Sequence, residues 1–281
     1  MANSYLNIVT FLLTTLFYYM ALKPSLTLDS MTDATKFKQY ESNHYIYLGV
    51  YLLLVILVQF IVNASLISST CGGNITENMG SAGLLTLIPW TFIFGVVIMV
   101  LIIYPGFKTA FSDVIGYYFV SSSANKLLTT LLIDKDVQKQ LDADAVSSIQ
   151  QKQAMQKAAD TIIKICGNTS IIINQIVPEN FNEYWQILTP LMKTEYQQPG
   201  GSNELKSQLF DLVVTRDNIG EALWYIYTGI LITSLVQLKI ATKGCTSNPE
   251  TMQKNYQAYL EQQKAANAEQ EKATSTVYTV S

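Results

Sequence analysis

Four long apolar runs, Tyr5 to Leu22, Tyr45 to Ile67, Leu84 to Tyr104 and Ala222 to Leu238, contain no charged side chain. A helix rising about 1.5 Å per residue needs roughly 20 apolar residues to cross a hydrocarbon core about 30 Å thick, and all four runs fall within that tolerance. The expected fold is therefore all-α, an integral membrane protein with four transmembrane helices. The rest of the chain is polar, which accounts for a mean hydropathy of only +0.21. That polarity is concentrated in residues 105–221, expected as a helical extramembrane domain between the third and fourth spans, and in a polar, partly disordered tail at 241–281. Residues 1–104 then hold three spans with short loops, and residues 222–240 the fourth.

A net charge of −3, with no cluster of Lys and Arg, argues against nucleic acid as a partner. The three cysteines, Cys71, Cys166 and Cys245, form no C-x-x-C pair and His44 is the only histidine, so no metal or other cofactor is expected. Met1 to Ser4 carry no basic residue and no clear cleavage site follows the first run, so that run is expected to be retained.

Basic residues near span ends orient a membrane chain. Lys23, Lys36 and Lys38 in the first loop, with Lys108 and Arg216 at the ends of the large segment, place those two regions on the cytosolic side. Lys239 and Lys243 oppose that orientation. Tyr18, Tyr19, Tyr45, Tyr47, Tyr51, Tyr104, Trp224, Tyr225 and Tyr227 gather at the ends assigned to the same face, as an interfacial aromatic belt would. On the opposite face, Asn74-Ile75-Thr76 is a candidate glycosylation site, and Cys71 and Cys245 could form a disulfide or remain free thiols. Asn63-Ala64-Ser65 lies too near the lipid for easy modification.

The runs contain polar but no ionisable residues, whereas a conductive path usually keeps charge. Thr and Ser are expected to bond their own helix backbone, while Gln59 and Gln237 link neighbouring helices for about 1 kcal/mol each. Pro89 should weaken the first turns of the third span.

Within the large segment, helical periodicity runs from Asp136 to Cys166. Pro178 suits the first turn of a helix that Pro190 should bend or end, Gln197 to Ser202 is a loop by composition, and a further helix through Leu205, Leu209, Leu212 and Val213 precedes Asp217 as a cap for the fourth span. No catalytic set or P-loop appears, so an enzyme is not expected. The tail from Pro249 to Asn267 carries a thin stripe of Met252, Tyr256, Tyr259 and Leu260, suited to a surface helix or to a helix that binds a partner.

Just after the third span come Tyr104-Pro105-Gly106-Phe107-Lys108 and Phe111-Ser112-Asp113-Val114-Ile115-Gly116-Tyr117-Tyr118. Pro105 and Gly106 stop the span, Lys108 anchors it, and the aromatic residues suit a turn lying along the headgroups. Tyr104, Phe107, Lys108, Phe111, Tyr117 and Tyr118, with Trp224 and Tyr225 at the fourth span, are the candidate membrane-interface residues. This arrangement resembles one in multi-span virion membrane proteins of the nucleocytoplasmic large DNA viruses of algae and protists, the giant-virus type. The resemblance implies an internal-membrane or minor capsid component that holds the bilayer to an icosahedral shell or assists assembly. Its implied partners are lipid and capsid or other virion membrane proteins, its implied location the virion's internal membrane, derived from host endoplasmic reticulum. A homo-oligomer is left open. Tetraspanins share the layout, but their large loop carries Cys-Cys-Gly and further paired cysteines where this segment has Cys166 alone. A small membrane channel or transporter is the alternative.

Overall fold

The computed structural model describes residues 5–71, 74–132, 169–198, 200–242 and 249–275, all organised by helices. The only β feature among them is an isolated bridge between Leu132 and Met192. The expected helix over Asp136 to Cys166 lies outside the described residues.

Among the described residues, three helices are long and apolar enough to cross a bilayer, as in an integral membrane protein: α3 (Ala34–Cys71), the stretch Asn78–Ile103, and a 40-residue helix, Asn203–Thr242. The first apolar run forms a shorter helix, Leu6–Leu22, composed of α1 (Leu6–Phe17) and a π turn at Tyr18–Leu22. Pro24 lies just beyond it, where a residue without N–H cannot continue the ladder.

Two helices outrun their apolar segments. After α2 (Leu28–Thr32), opened by a reciprocal Thr27–Ser30 capping box, the Asp33 carboxylate accepts from the N–H groups of Thr35 (2.8 Å) and Lys36 (3.2 Å). Those bonds satisfy donors at the helix start, so α3 begins eleven residues before the apolar run at Tyr45. The third apolar helix begins as α4 (Ile75–Ile88), passes through a π turn at Pro89–Phe94 and ends as α5 (Gly95–Ile103). Pro89 therefore widens the helix rather than fraying it, because a π turn makes room for the missing N–H and the ring.

Beyond a 3₁₀ turn at Pro105–Lys108, α6 (Thr109–Phe111) leads through a π turn at Ser112–Gly116 into α7 (Tyr117–Leu131). Then follow α8 (Thr169–Gln175), α9 (Phe181–Leu188) and α10 (Thr194–Gln197). Pro178 opens the 3₁₀ turn before α9 and Pro190 sits in the one that ends it. Gly200, at φ +89°, turns the chain into α11 (Asn203–Thr242). The tail forms α12 (Pro249–Ser275), with Tyr256 and Tyr259 exposed.

Two apolar cores result. The first, within the bundle, is aromatic: Phe11, Trp90, Phe94, Tyr18, Tyr51 and Tyr225 are buried, and the Tyr18 and Tyr51 rings stack at 4.4 Å. The second joins α7, α8, α9 and the first part of α11 through residues such as Leu128, Ile173, Phe181, Trp185 and Phe210. Leu26, Leu28 and Met31 of the first loop pack against this second core, so that loop and the large segment lie on one side of the bundle.

Polar links cross the bundle interior. Asn7 Nδ2 donates to Asn63 Oδ1 at 2.8 Å, Asn63 Nδ2 to Thr86 Oγ1 at 2.8 Å, and Gln59 Nε2 to the Asn7 carbonyl at 3.0 Å. Thr14, Thr15 and Ser234 bond their own helix backbone, as their sequence positions suggest. Gly229 lets α1 approach α11 closely: a Cβ there would lie 2.1 Å from the Phe11 ring. Gly229→Leu is expected to cost about 1–3 kcal/mol through overpacking and to lower the melting temperature in detergent. Adding Phe11→Ala should recover part of the loss, and a Gly229→Leu chain melting like the parent would contradict this packing.

Candidate functional junction between the bundle and the helical domain

The sequence reading gives α11 two separate parts with Asp217 as a cap between them. Instead, α11 is unbroken for about 60 Å, far more than a bilayer's hydrocarbon thickness. It carries the chain from the second core into the first with no hinge, and Asp217 takes a different role.

Glu221, on α11 one residue before the apolar run, is only 3% exposed. Its carboxylate accepts from Lys23 Nζ at 2.6 Å and from Tyr19 Oη at 2.9 Å, and Lys108 Nζ lies 3.6 Å from its other oxygen. Lys108 also donates to Asp217 at 2.8 Å. Two ammonium groups and two carboxylates thus form a largely buried, charge-balanced quartet drawn from three places in the sequence. Burial works against the charge on Lys108, but Asp217 and Glu221 outweigh it and hold the ammonium above the ordinary lysine range. A raised lysine pKa contributes stability at all pH values below the ordinary lysine range, and that stability is lost only as pH rises through the folded value. The quartet therefore persists across the neutral range.

Around it the backbone closes tightly. A Cβ on Gly116 would lie 2.6 Å from the Arg216 carbonyl oxygen, and one on Gly220 would lie 2.7 Å from Ser112 Cβ. Ser112 and Gly116 are four apart, as are Arg216 and Gly220, so small residues let the π turn and α11 meet backbone to backbone. The fully buried Arg216 guanidinium donates to the carbonyls of Ile173 and Ile176 and to Asn174 Oδ1, closing the C-terminal end of α8. Asp113 stands 3.8 Å from the same guanidinium.

The candidate interface residues divide. Tyr104, Phe107 and Tyr118 are exposed, and Val114 and Phe119 join them in an apolar outer face. Phe111 packs edge-on against Trp224 at 5.1 Å, and Trp224 donates its indole N–H to the Phe107 carbonyl at 2.8 Å. Tyr117 packs against the second core. Lys108 and Tyr225 face inward, Lys108 into the quartet and Tyr225 into the aromatic core at 1% exposure, and Tyr18 and Tyr51 are buried with it. The belt read from the sequence is thus partly a buried aromatic cluster, because each of these three rings finds aromatic neighbours within the bundle.

At the other end of the bundle, Cys71 is disulfide-bonded, while Cys245 lies outside the described residues. Asn74 is exposed on extended backbone just before α4, and Asn63 is buried among its hydrogen-bond partners. The burial of Glu221 and Arg216 was not read from the sequence. The available signal was the tight series Arg216, Asp217, Gly220, Glu221, whose four-residue spacing places charge and glycine on one helix face.

Between the quartet and the start of α3 lies a cavity of about 230 Å³, bordered by Tyr40, His44, Asn218 and Pro178. No protein-family model matches the chain, and no curated protein or solved structure matches it.

Two outcomes test the junction. Glu221→Gln leaves the Lys23 ammonium without its counter-charge and Lys108 with Asp217 alone, and should cost about 3–5 kcal/mol, read as a lower melting temperature in detergent; Lys36→Met, which breaks only the exposed pair with Asp29, should leave melting unchanged. Replacing Phe107, Tyr118 and Phe119 by Ser should reduce photocrosslinking to lipid without unfolding the chain, whereas Phe111→Ser and Tyr117→Ser should act on stability instead. Equal lipid crosslinking in the triple variant would refute a lipid-facing role for that outer face.

Proposed function

We propose that this chain is a structural membrane protein that holds a helical domain in fixed orientation against a bilayer. The observation that carries this reading is the unbroken α11, shared by both cores and clamped where they meet by the Lys23, Lys108, Asp217 and Glu221 quartet. A chain built for transport or for signalling by domain motion benefits from a hinge there; an anchor benefits from a strut. In this reading Leu6–Leu22 crosses the bilayer as a fourth span, at the short end of the length that suffices. The chain is then not an enzyme, and the domain built on α7 to α10 is its docking surface for other proteins.

The setting we propose is the internal membrane of a large DNA virus particle, with the domain linking bilayer to capsid shell or guiding assembly. The Tyr104 to Tyr118 segment, whose likeness suggested this setting, supplies much of the clamp: Lys108 enters the quartet, while Ser112 and Gly116 form the close contact with α11. A channel or transporter receives less support, since Asn7, Gln59, Asn63 and Thr86 bond one another across the bundle.

Particles purified from the source organism and stripped stepwise with mild detergent test the proposal by quantitative mass spectrometry. Stoichiometric retention with icosahedral shell proteins after lipid removal is the expected result. Absence from every particle fraction would overturn the virion setting, and measurable ion or solute flux through liposomes holding the purified chain would overturn the anchor role.

A further inference from the structure

Lys23, Lys108, Glu41, Glu179, Asp217 and Glu221 line the junction cavity, two cations against four carboxylates. Among the described residues, the quartet accounts for both cations and two of the carboxylates, which leaves Glu41 and Glu179 as surplus negative charge in the wall. Aromatic rings of Phe37, Tyr40 and Tyr45 line the same space. The His44 ring stacks on Tyr40 at 5.8 Å and 10°, and its Nδ1 is buried with no hydrogen-bond partner among the described residues. Acidic side chains, aromatic faces and an imidazole nitrogen able to accept a proton together suit an ammonium group. An N–H-bearing ammonium suits them better than a quaternary one, because only the former can donate to His44 and Glu41.

The cavity's position says where such an ammonium would come from. Its walls are the ends of four apolar helices on one side of the bundle: Lys23 after α1, Tyr45 at the start of the apolar part of α3, Ile102 near the end of α5, and Tyr225 on α11. Glu179 and Pro178 of the helical domain close it from above. That level is where bilayer headgroups lie. Tyr45, 49% exposed, and Ile102 line the cavity, and the acyl chains of a bound lipid would leave past them toward the bilayer core. Lys23 and Lys108 each carry three N–H donors, more than their carboxylate partners use, and can reach a phosphate oxygen.

We propose that this cavity binds the headgroup of a phospholipid bearing a primary amine, of which phosphatidylethanolamine is the simplest. Its ammonium sits among Glu41, Glu179, Tyr40 and His44 and its phosphate faces Lys23 and Lys108. The volume of about 230 Å³ is below the roughly 300–1,000 Å³ of pockets for drug-sized ligands, in keeping with a headgroup alone inside and the chains outside. The inference is independent of the anchor role and of any virion setting.

The test is native mass spectrometry of the full chain in mild detergent, exposed in parallel to phosphatidylethanolamine, phosphatidylcholine and phosphatidylglycerol with matched acyl chains. Retention of phosphatidylethanolamine above the other two is expected. The double variant Glu41→Gln with Glu179→Gln should weaken that retention roughly tenfold. His44→Phe, which keeps the ring stack but removes the acceptor, is a second variant should the first fail to fold. Equal retention of the three lipids, or a preference unchanged in a folded variant, overturns the site. Displacement of the lipid by soluble phosphoethanolamine at matched concentration would overturn the lipid assignment in favour of a soluble amine.

Discussion

A carboxylate buried at the level where a membrane begins is the constraint on which this architecture depends. Glu221 could not remain ionised at 3% exposure without Lys23 and Lys108, and those lysines come from the ends of two other apolar helices. The quartet's net contribution to stability is modest, since desolvating two ion pairs offsets most of their attraction. Its larger effect is on register. Sliding α11 by one residue, or turning it by a quarter, would separate Glu221 from both cations, while Ile232 or Val236 would only exchange protein contact for equally apolar lipid. Apolar contact alone tolerates such slippage within a bilayer, where lipid tails are as apolar as the helix faces.

Backbone contact enforces the same register. Gly220 rests on Ser112 and Gly116 on the Arg216 carbonyl, so a displaced α11 would press a side chain against main chain. Arg216 carries the constraint outward by closing the end of α8 and tying it to α11. Phe11 against Gly229 carries it inward, and the Asn7, Asn63 and Thr86 links extend it to the third apolar helix. Polar, steric and aromatic contacts therefore specify one arrangement of bundle and domain.

The apolar runs, the turn at Gly200 and the roles of Pro178 and Pro190 were legible in the sequence because each rests on local chemistry: run length, φ above zero, a missing N–H. Lengths beyond the membrane were not. Asp33 starts α3 early through two backbone hydrogen bonds, and no break occurs in α11 because charged residues 216, 217 and 221 are helix-compatible once paired. Composition makes Lys108 and Arg216 look like topological markers and Tyr225 like a headgroup anchor. Each turns inward because its partner lies far away in sequence: Asp217 for Lys108, Ile173 and Ile176 for Arg216, Tyr51 and Phe94 for Tyr225. Pairings of that kind need the fold before they can be read.

The central claim is that bundle and helical domain form one rigid body through the junction. Electron spin resonance distance measurement tests it most directly, using spin labels introduced as unnatural amino acids at Gln186 in the domain and Ser69 at the far end of the bundle, in lipid nanodiscs. The account predicts a single narrow distance distribution that broadens when Lys23 and Lys108 are both replaced by Met. A broad distribution in the native chain, or one that stays narrow and unmoved in the double variant, would contradict it.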